Sequence, residues 1–581
     1  MPSERQQFRV LYRDFLFRLV DVELLSAAGD VPKLLGQFGA ALAAFSFTIS
    51  LVTFPALARS GLPYQKLIGA VRLEQEFLIA TTMAIAGLFT VLAWNAVFPD
   101  RRDSLVLGLL PVRSRTILLA KIAAIGTALG VSIGAVNIFT GLLFPFLATG
   151  PGFLAPLRSL GAHWLVMTLA GLFVCCSLLA IEGLASHLLS YRYFVHFSSF
   201  LQLTAFFANL AMYFLKPSFA IAGSDSIWWR KLPSFWFCGL LQVLNGDSSY
   251  PFGELAGRAL WGLAITVSIA AITLSLAYAM SMRRMVEQPD IPPGMRISGT
   301  PVIAKLLRRQ FDRAILMFTA RTLARSRQHR LLLAAYAGIG LAIALAYARD
   351  FLYESEDFDP LYRNLHWNQV NAPFLVGSLV LLFFAVIGAR AVFAMPIALT
   401  ANWIFRITAV YSPSAYSAAV RKSLYAVATV PIWLFSAALF FAIWPFEYAG
   451  PHLAVLVATG ILMVELSLYR FRKVPFACSY LPGKAKVHIR LGTTGIFFLA
   501  AANMGVRIEY WALHKDTRFE VLIAILLVGA VLAHRRNLEF SRSPANLLQF
   551  EDLPLEELTS LDLRSEQAWS EQTAYLDAGH T

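Results

Sequence analysis

Twelve apolar runs, each close to or above the length of a bilayer crossing, divide this chain of 581 residues. A hydrocarbon core about 30 Å thick takes about 20 apolar residues as a helix. Backbone polar groups in lipid find no water, so a segment of this kind satisfies them internally as an α-helix. The expected spans are Leu34–Ala58, Phe77–Phe98, Ile117–Ala148, Ala162–Leu189, Phe194–Leu215 and Ala259–Met282. After a basic segment come Leu331–Ala348, Ala372–Leu399, Ser423–Trp444, His452–Tyr469, Leu491–Leu513 and Phe519–His534. Only 14% of residues are charged, against about 25% in soluble domains. The fold class is therefore expected to be an all-α polytopic membrane protein. About 12 transmembrane helices would form two six-helix halves, each preceded by an interfacial amphipathic helix.

The formal net charge of +14 collects in short loops between apolar runs. That distribution reads as a topology signal and a contact with anionic lipid, not as a nucleic-acid surface. Arg283–Arg330 holds eleven Lys or Arg against three acids, whereas Arg349–Asn371 holds two Arg against five acids. Short basic loops stay cytoplasmic, so both termini are expected inside a plasma membrane, the inner membrane of a bacterium. The charged first 30 residues lack the continuous apolar core of a cleavable signal peptide. The four cysteines, Cys175, Cys176, Cys238 and Cys478, contain no C-x-x-C pair, so no disulfide framework or metal site is inferred.

The two halves share a plan. Residues 1–287 form the first expected half, 288–301 a Pro- and Gly-rich linker, 302–534 the second half and 535–581 an acidic cytoplasmic tail. Arg5–Ala27 and Val302–Arg330 are amphipathic basic segments suited to lying in the interface plane. AVF precedes the inner loop of each half, at Ala96–Phe98 and Ala391–Phe393. Glu182 and Glu465 each close the fourth span, followed by Tyr191-Arg192-Tyr193 and Tyr469-Arg470-Phe471. An internal duplication is expected, as in many transporters.

Phe98–Lys121, FPDRRDSLVLGLLPVRSRTILLAK, lies on the expected inner face after the second span. Its apolar piece Leu105–Leu110, which includes Leu107, is too short to cross a bilayer but long enough for two helical turns. Asp100, Arg101, Arg102 and Asp103 precede it; Pro111, Arg113 and Arg115 follow it. The second half has a counterpart in Thr400–Lys422, with Trp403, Arg406 and Tyr416.

In Asp100, Arg101, Arg102, Leu109, Leu110, Pro111, Val112, Arg113 and Lys121, placed between spans two and three, the chain resembles the permease subunits of type-two ATP-binding cassette exporters. Those proteins carry an interfacial helix, a pair of spans, and then a cytoplasmic coupling helix seated on an ATPase. The resemblance covers about residues 5 to 150 and is architectural beyond. It implies a separately encoded ATPase, in two copies, docking on both inner loops. Family members have six spans and dimerise, so here one chain would supply both permease halves. The rival reading is a twelve-span secondary transporter of major-facilitator type, whose inner-loop glycines are absent here. A non-transporting membrane scaffold is the third.

No catalytic role, cofactor or metal is expected, because the phosphate loop G-x-x-x-x-G-K-[ST], H-E-x-x-H and G-x-S-x-G are all missing. The ten histidines are scattered and read as packing residues. Glu182, Arg390 and Glu465 are ionisable residues within expected spans. A charge at the membrane centre costs about 2.5–3.5 kcal/mol on insertion scales, so each is expected to be paired, to line a path between the halves, or to snorkel to the interface. Arg390 is the candidate counter-charge. Gly126, Gly130 and Gly134 have the spacing of a close helix–helix contact. Trp228, Trp229, Trp236 and Trp261 read as an aromatic belt around an outer loop, Lys216–Arg258.

Overall fold

A computed structural model describes residues 3–20, 31–61, 63–94, 98, 107, 110–147, 154–189, 191–216, 229–287, 307–352, 371–395, 412–471, 474–476, 487–513 and 515–543. Among them every regular element is helical, and eleven helices are long and apolar enough to cross a membrane. The chain is an all-α, multi-pass membrane protein. The linker 288–301, the tail from 544 onward and the inner-loop residues Asp100, Arg101, Arg102, Asp103, Leu109, Trp403 and Arg406 lie outside the described residues.

The first half begins with α1 (Glu4–Val20), then α2 (Val31–Ala58), α3 (Tyr64–Leu92) and α4 (Ser114–Asn137). After the turn α5 (Thr140–Leu143) come α6 (Ala155–Leu188), α7 (Tyr191–Phe214), α8 (Pro233–Asn245) and α9 (Phe252–Glu287). The second half has α10 (Gln310–Arg325), α11 (Arg327–Leu352), α12 (Ala372–Phe393), α13 (Pro413–Leu424) and α14 (Val430–Ile443). It ends with α15 (Phe446–Ser467), α16 (Val487–Ala512) and α17 (Asp516–Arg542). Two large buried clusters result. One joins Leu78, Ile117, Met167, Phe237 and Tyr278; the other joins Leu375, Phe393, Leu424, Leu456 and Val506. The two are linked where α7 packs on α11. There Gly338 lets the Phe206 ring in, since a Cβ at 338 would lie 2.3 Å from it.

Several expected elements come out differently. The second span, expected over Phe77–Phe98, is α3 and starts at Tyr64. The third span ends at Asn137 rather than Ala148, because the chain breaks into α5 and a 3-10 turn at Phe144–Phe146 with Pro145 inside it. Spans nine and ten each begin earlier than expected. A π turn at Tyr425–Thr429 carries α13 directly into α14, giving one apolar helical stretch over Pro413–Ile443. Pro431 has no N–H and its ring crowds the carbonyl four residues back, which the wider turn relieves. The helix α15 starts at Phe446 and runs through Pro451. The expected span Leu491–Leu513 is the 26-residue helix α16, about 39 Å at 1.5 Å per residue. That length is sufficient to cross a membrane.

The expected outer loop differs as well. Lys216–Arg258 contains α8, folded back into the bundle with Phe235, Phe237, Cys238 and Leu241 fully buried. Pro233 starts it and Gly246 ends it at φ 105°, a left-handed conformation that glycine adopts without strain. Trp236 is half-buried, its edge on Phe173, while Trp261 is 73% exposed on the outer wall of α9. Behind α8, Arg72 Nη2 donates to Asp247 Oδ2 at 2.6 Å. The Ser249 hydroxyl and N–H, with Arg72, hold the Asp247 carboxyl below its usual range.

Candidate functional site

The end of the bundle that carries α1 and α10 is called basal below, and the opposite end distal. At the basal end of the first half, α1 lies along α4. Leu11 and Phe15 are buried in the first core, and Tyr12 donates to Thr127 Oγ1 at 3.1 Å. Glu4 Oε1 lies 3.5 Å from Arg113 Nη1 and accepts from Thr116 at 3.4 Å. That exposed pair contributes about 0–1 kcal/mol, so burial holds α1 in place and the pair only sets its register. Lys121, two turns into α4, is buried. Its Nζ donates to the Phe98 carbonyl at 3.2 Å and sits 5.1 Å from the Phe15 ring and 5.9 Å from Tyr278. One buried cation thus ties the start of the inner loop to α1, α4 and α9. Leu107 is helical and half-buried against the same core, while Leu110, Pro111, Arg113 and Arg115 are exposed.

The second half repeats this joint. α10 packs on α13, and its first-turn acid Asp312 is ion-paired with Lys422. Phe311 meets the Tyr416 ring edge-on at 4.9 Å, and Ile315, Tyr416, Ala419 and Val474 form a buried cluster. Ser412 caps α13 by accepting from Ala415 N, with Pro413 next in the first turn. Tyr416 is therefore covered by α10, and only the Ser412 end of this loop faces outward among the described residues.

The intramembrane acids lie at the basal end of the fourth helix in each half. Glu182 in α6 and Glu465 in α15 are both 2% exposed. The counter-charge of Glu465 is Arg421, Nε 2.7 Å from Oε1. His534 Nδ1 lies 2.9 Å from the same oxygen, and Asn537 Nδ2 reaches Oε2 at 3.0 Å and the backbone carbonyl at 2.7 Å. Arg390 serves elsewhere. It donates to the Ser467 carbonyl at 3.0 Å and stacks 4.1 Å over Phe471, closing the end of α15. Arg421 lies two turns into the helix begun at Pro413, as Lys121 lies two turns into the one begun at Ser114.

A second polar cluster, which the sequence did not reveal, sits at the distal end of the second half. His452 of α15 has Nε2 2.9 Å from Ser378 Oγ of α12 and Nδ1 2.6 Å from Glu509 Oε1 of α16. Ser378 also donates to the Leu375 carbonyl at 2.9 Å. When the serine proton is placed there, Nε2 donates to Ser378 Oγ and Nδ1 shares a hydrogen bond with the Glu509 carboxyl. All three side chains are buried and Phe440 caps the ring at 4.9 Å, so no substrate reaches Ser378 as it would in a hydrolase. Their separation along the chain, 57 and 74 residues, is why each reads as a lone residue.

A Cβ at Gly126, Gly130 or Gly134 meets nothing within 4 Å among the described residues. Close approach occurs instead at Gly87 against Asn209, Gly171 against Ile133 and Gly183 against Thr273. No family model, curated protein or solved structure matches the chain significantly.

Proposed function

We propose that this chain is the transmembrane permease component of an ATP-binding cassette exporter of the type-two class, coupled to ATP hydrolysis by a separately encoded ATPase. What supports the reading most is the repeated basal joint. In each half an interfacial helix packs on the helix that follows the inner loop, α1 on α4 and α10 on α13, with a first-turn acid facing a base, Glu4–Arg113 and Asp312–Lys422. Such a joint lets a push on the loop reach α4 and α9 in the first half through Lys121, and α13 and α15 in the second through Arg421. Two joints fit two ATPase copies. No phosphate loop occurs in the chain, so the energy source would be a partner.

Co-purification tests this. Tagged chain, extracted in mild detergent, is expected to retain an ATPase subunit, and its addition is expected to raise the ATP turnover of that subunit. A preparation that carries no ATPase and transports in response to an ion gradient would instead support the secondary-transporter reading. Orientation follows from the basic loops. With the basal end cytoplasmic, a cysteine at Ser249 should react with an impermeant maleimide added to intact cells, and one at Arg309 only after permeabilisation. The reverse pattern would invert the whole arrangement.

A further inference from the structure

We propose that a cavity inside the first half binds a long-chain fatty acid, with its tail among α3, α6 and α7 and its carboxylate at Lys216. The cavity, of about 420 Å³, is walled by Met83, Val174, Leu178, Leu201, Ala205 and Leu232. That volume and an apolar lining with few polar groups are typical of small-molecule sites. The exposed rim residues Ile181, Thr204, Ala208 and Met212 place its opening between α6 and α7, toward the lipid. Its shape selects a chain. Lining positions on α7 run from Leu201 to Tyr213, about 18 Å at 1.5 Å per residue, close to the roughly 15 Å that one leaflet of hydrocarbon occupies.

One end carries Lys216, the charged side chain of the lining, while Ser177, Thr204 and Asn209 lie further along. Tyr213 and Ser234 line the Lys216 end. Lys216 Nζ donates to Glu76 Oε2 at 2.5 Å, which uses one of three ammonium donors. Arg349 of α11 acts electrostatically on both Tyr213 and Lys216. Glu74, the other acid near Lys216, lies two residues before Glu76 and points about 200° away around α3, toward Thr53. Among the described residues the charges there are Lys216 and Arg349 against Glu76 and the more distant Glu74, with ammonium donors to spare. An ionised acceptor makes the stronger, charge-assisted bond there, which favours a carboxylate over an alcohol or ester. Asn209, bonded to the Ala84 carbonyl at 3.0 Å, is placed midway and braces α7 against α3.

The proposal stands apart from the exporter reading, since it concerns binding alone. The test uses the full chain in nanodiscs of neutral phospholipid and cis-parinaric acid, a fluorescent 18-carbon carboxylate, as probe. Saturable binding is expected, weakened at least tenfold in both Ala208→Trp and Thr204→Trp, which fill the rim from exposed positions. Palmitic acid should displace the probe, and hexadecanol should do so at least tenfold less well. Non-saturable fluorescence, or binding unchanged in both tryptophan variants, would mean annular lipid only and overturn the proposal. Displacement by lysophosphatidylcholine better than by palmitic acid would overturn the fatty-acid assignment in favour of a membrane lipid.

Discussion

Leu107→Pro is expected to abolish stimulation of the partner ATPase while the protein still inserts and extracts as wild type. Leu107 is helical and half-buried against the first core, next to the exposed Leu110 and Pro111. Proline removes one helical N–H and crowds the preceding turn, costing about 3 kcal/mol in a helix interior. The segment expected over Leu105–Leu110 is at most two turns, and short helices exist only where packing holds them. The rest of the half is insulated from the damage. Its core rests on Leu78, Ile117 and Met167, and α1 is held by Leu11 and Phe15. Leu107→Ala keeps the helix and loses only side-chain contact, so it should retain most of the stimulation. The check is ATP turnover of the reconstituted pair against protein amount, with gel filtration as the control for folding. Full stimulation in Leu107→Pro would rule out a docking role for the loop.

How far the fold was legible follows from what each signal measures. Apolar length locates helices that cross the membrane, and Ala372–Phe393, buried almost throughout, shows how well that works. The same measure passes over α8, because thirteen residues fall below the length of a crossing and the segment reads as loop. Charge counting finds Glu465 but misassigns its partner. Arg421 sits beside Lys422, and two adjacent bases read as a loop, so the span was expected to start at Ser423. The π turn at Tyr425–Thr429 lets the helix run on through that point and carries Arg421 to Glu465. Spacing detects the stripe Gly126, Gly130 and Gly134 but not which side of α4 has a neighbour. Sequence alone brings together neither His452 with Glu509 nor Phe476 with Phe393, whose backbones meet through a 3.0 Å hydrogen bond.

Arg421→Met should lower the stability of the second half by about 3–5 kcal/mol, the cost of leaving one member of a buried ion pair uncompensated. Glu465 would keep His534, whose side chain is 40% exposed, and Asn537, which is neutral. Neither replaces a guanidinium 2.7 Å away in a site where Glu465 is 2% exposed. Glu465→Gln keeps shape and the Asn537 contacts but strands Arg421, so a loss of similar size is expected. The double variant Arg421→Met with Glu465→Leu removes both charges. Apolar replacement of a whole buried pair is often neutral or stabilising, and Asn537 still donates to the residue 465 carbonyl. Most of the loss should therefore be recovered, which appears as a large coupling in the double-mutant cycle. Arg390→Met provides the contrast. It forfeits one bond to a carbonyl and a stacking contact, together about 1–3 kcal/mol, and should show no coupling to Glu465. Thermal unfolding of wild type, Arg421→Met, Glu465→Gln, Glu465→Leu, Arg390→Met and the doubles Arg421→Met/Glu465→Leu and Arg390→Met/Glu465→Leu, in one detergent at one scan rate, reads all of this. A coupling of Glu465 to Arg390 larger than to Arg421 would make Arg390 of α12, rather than Arg421 of α13, its energetic partner.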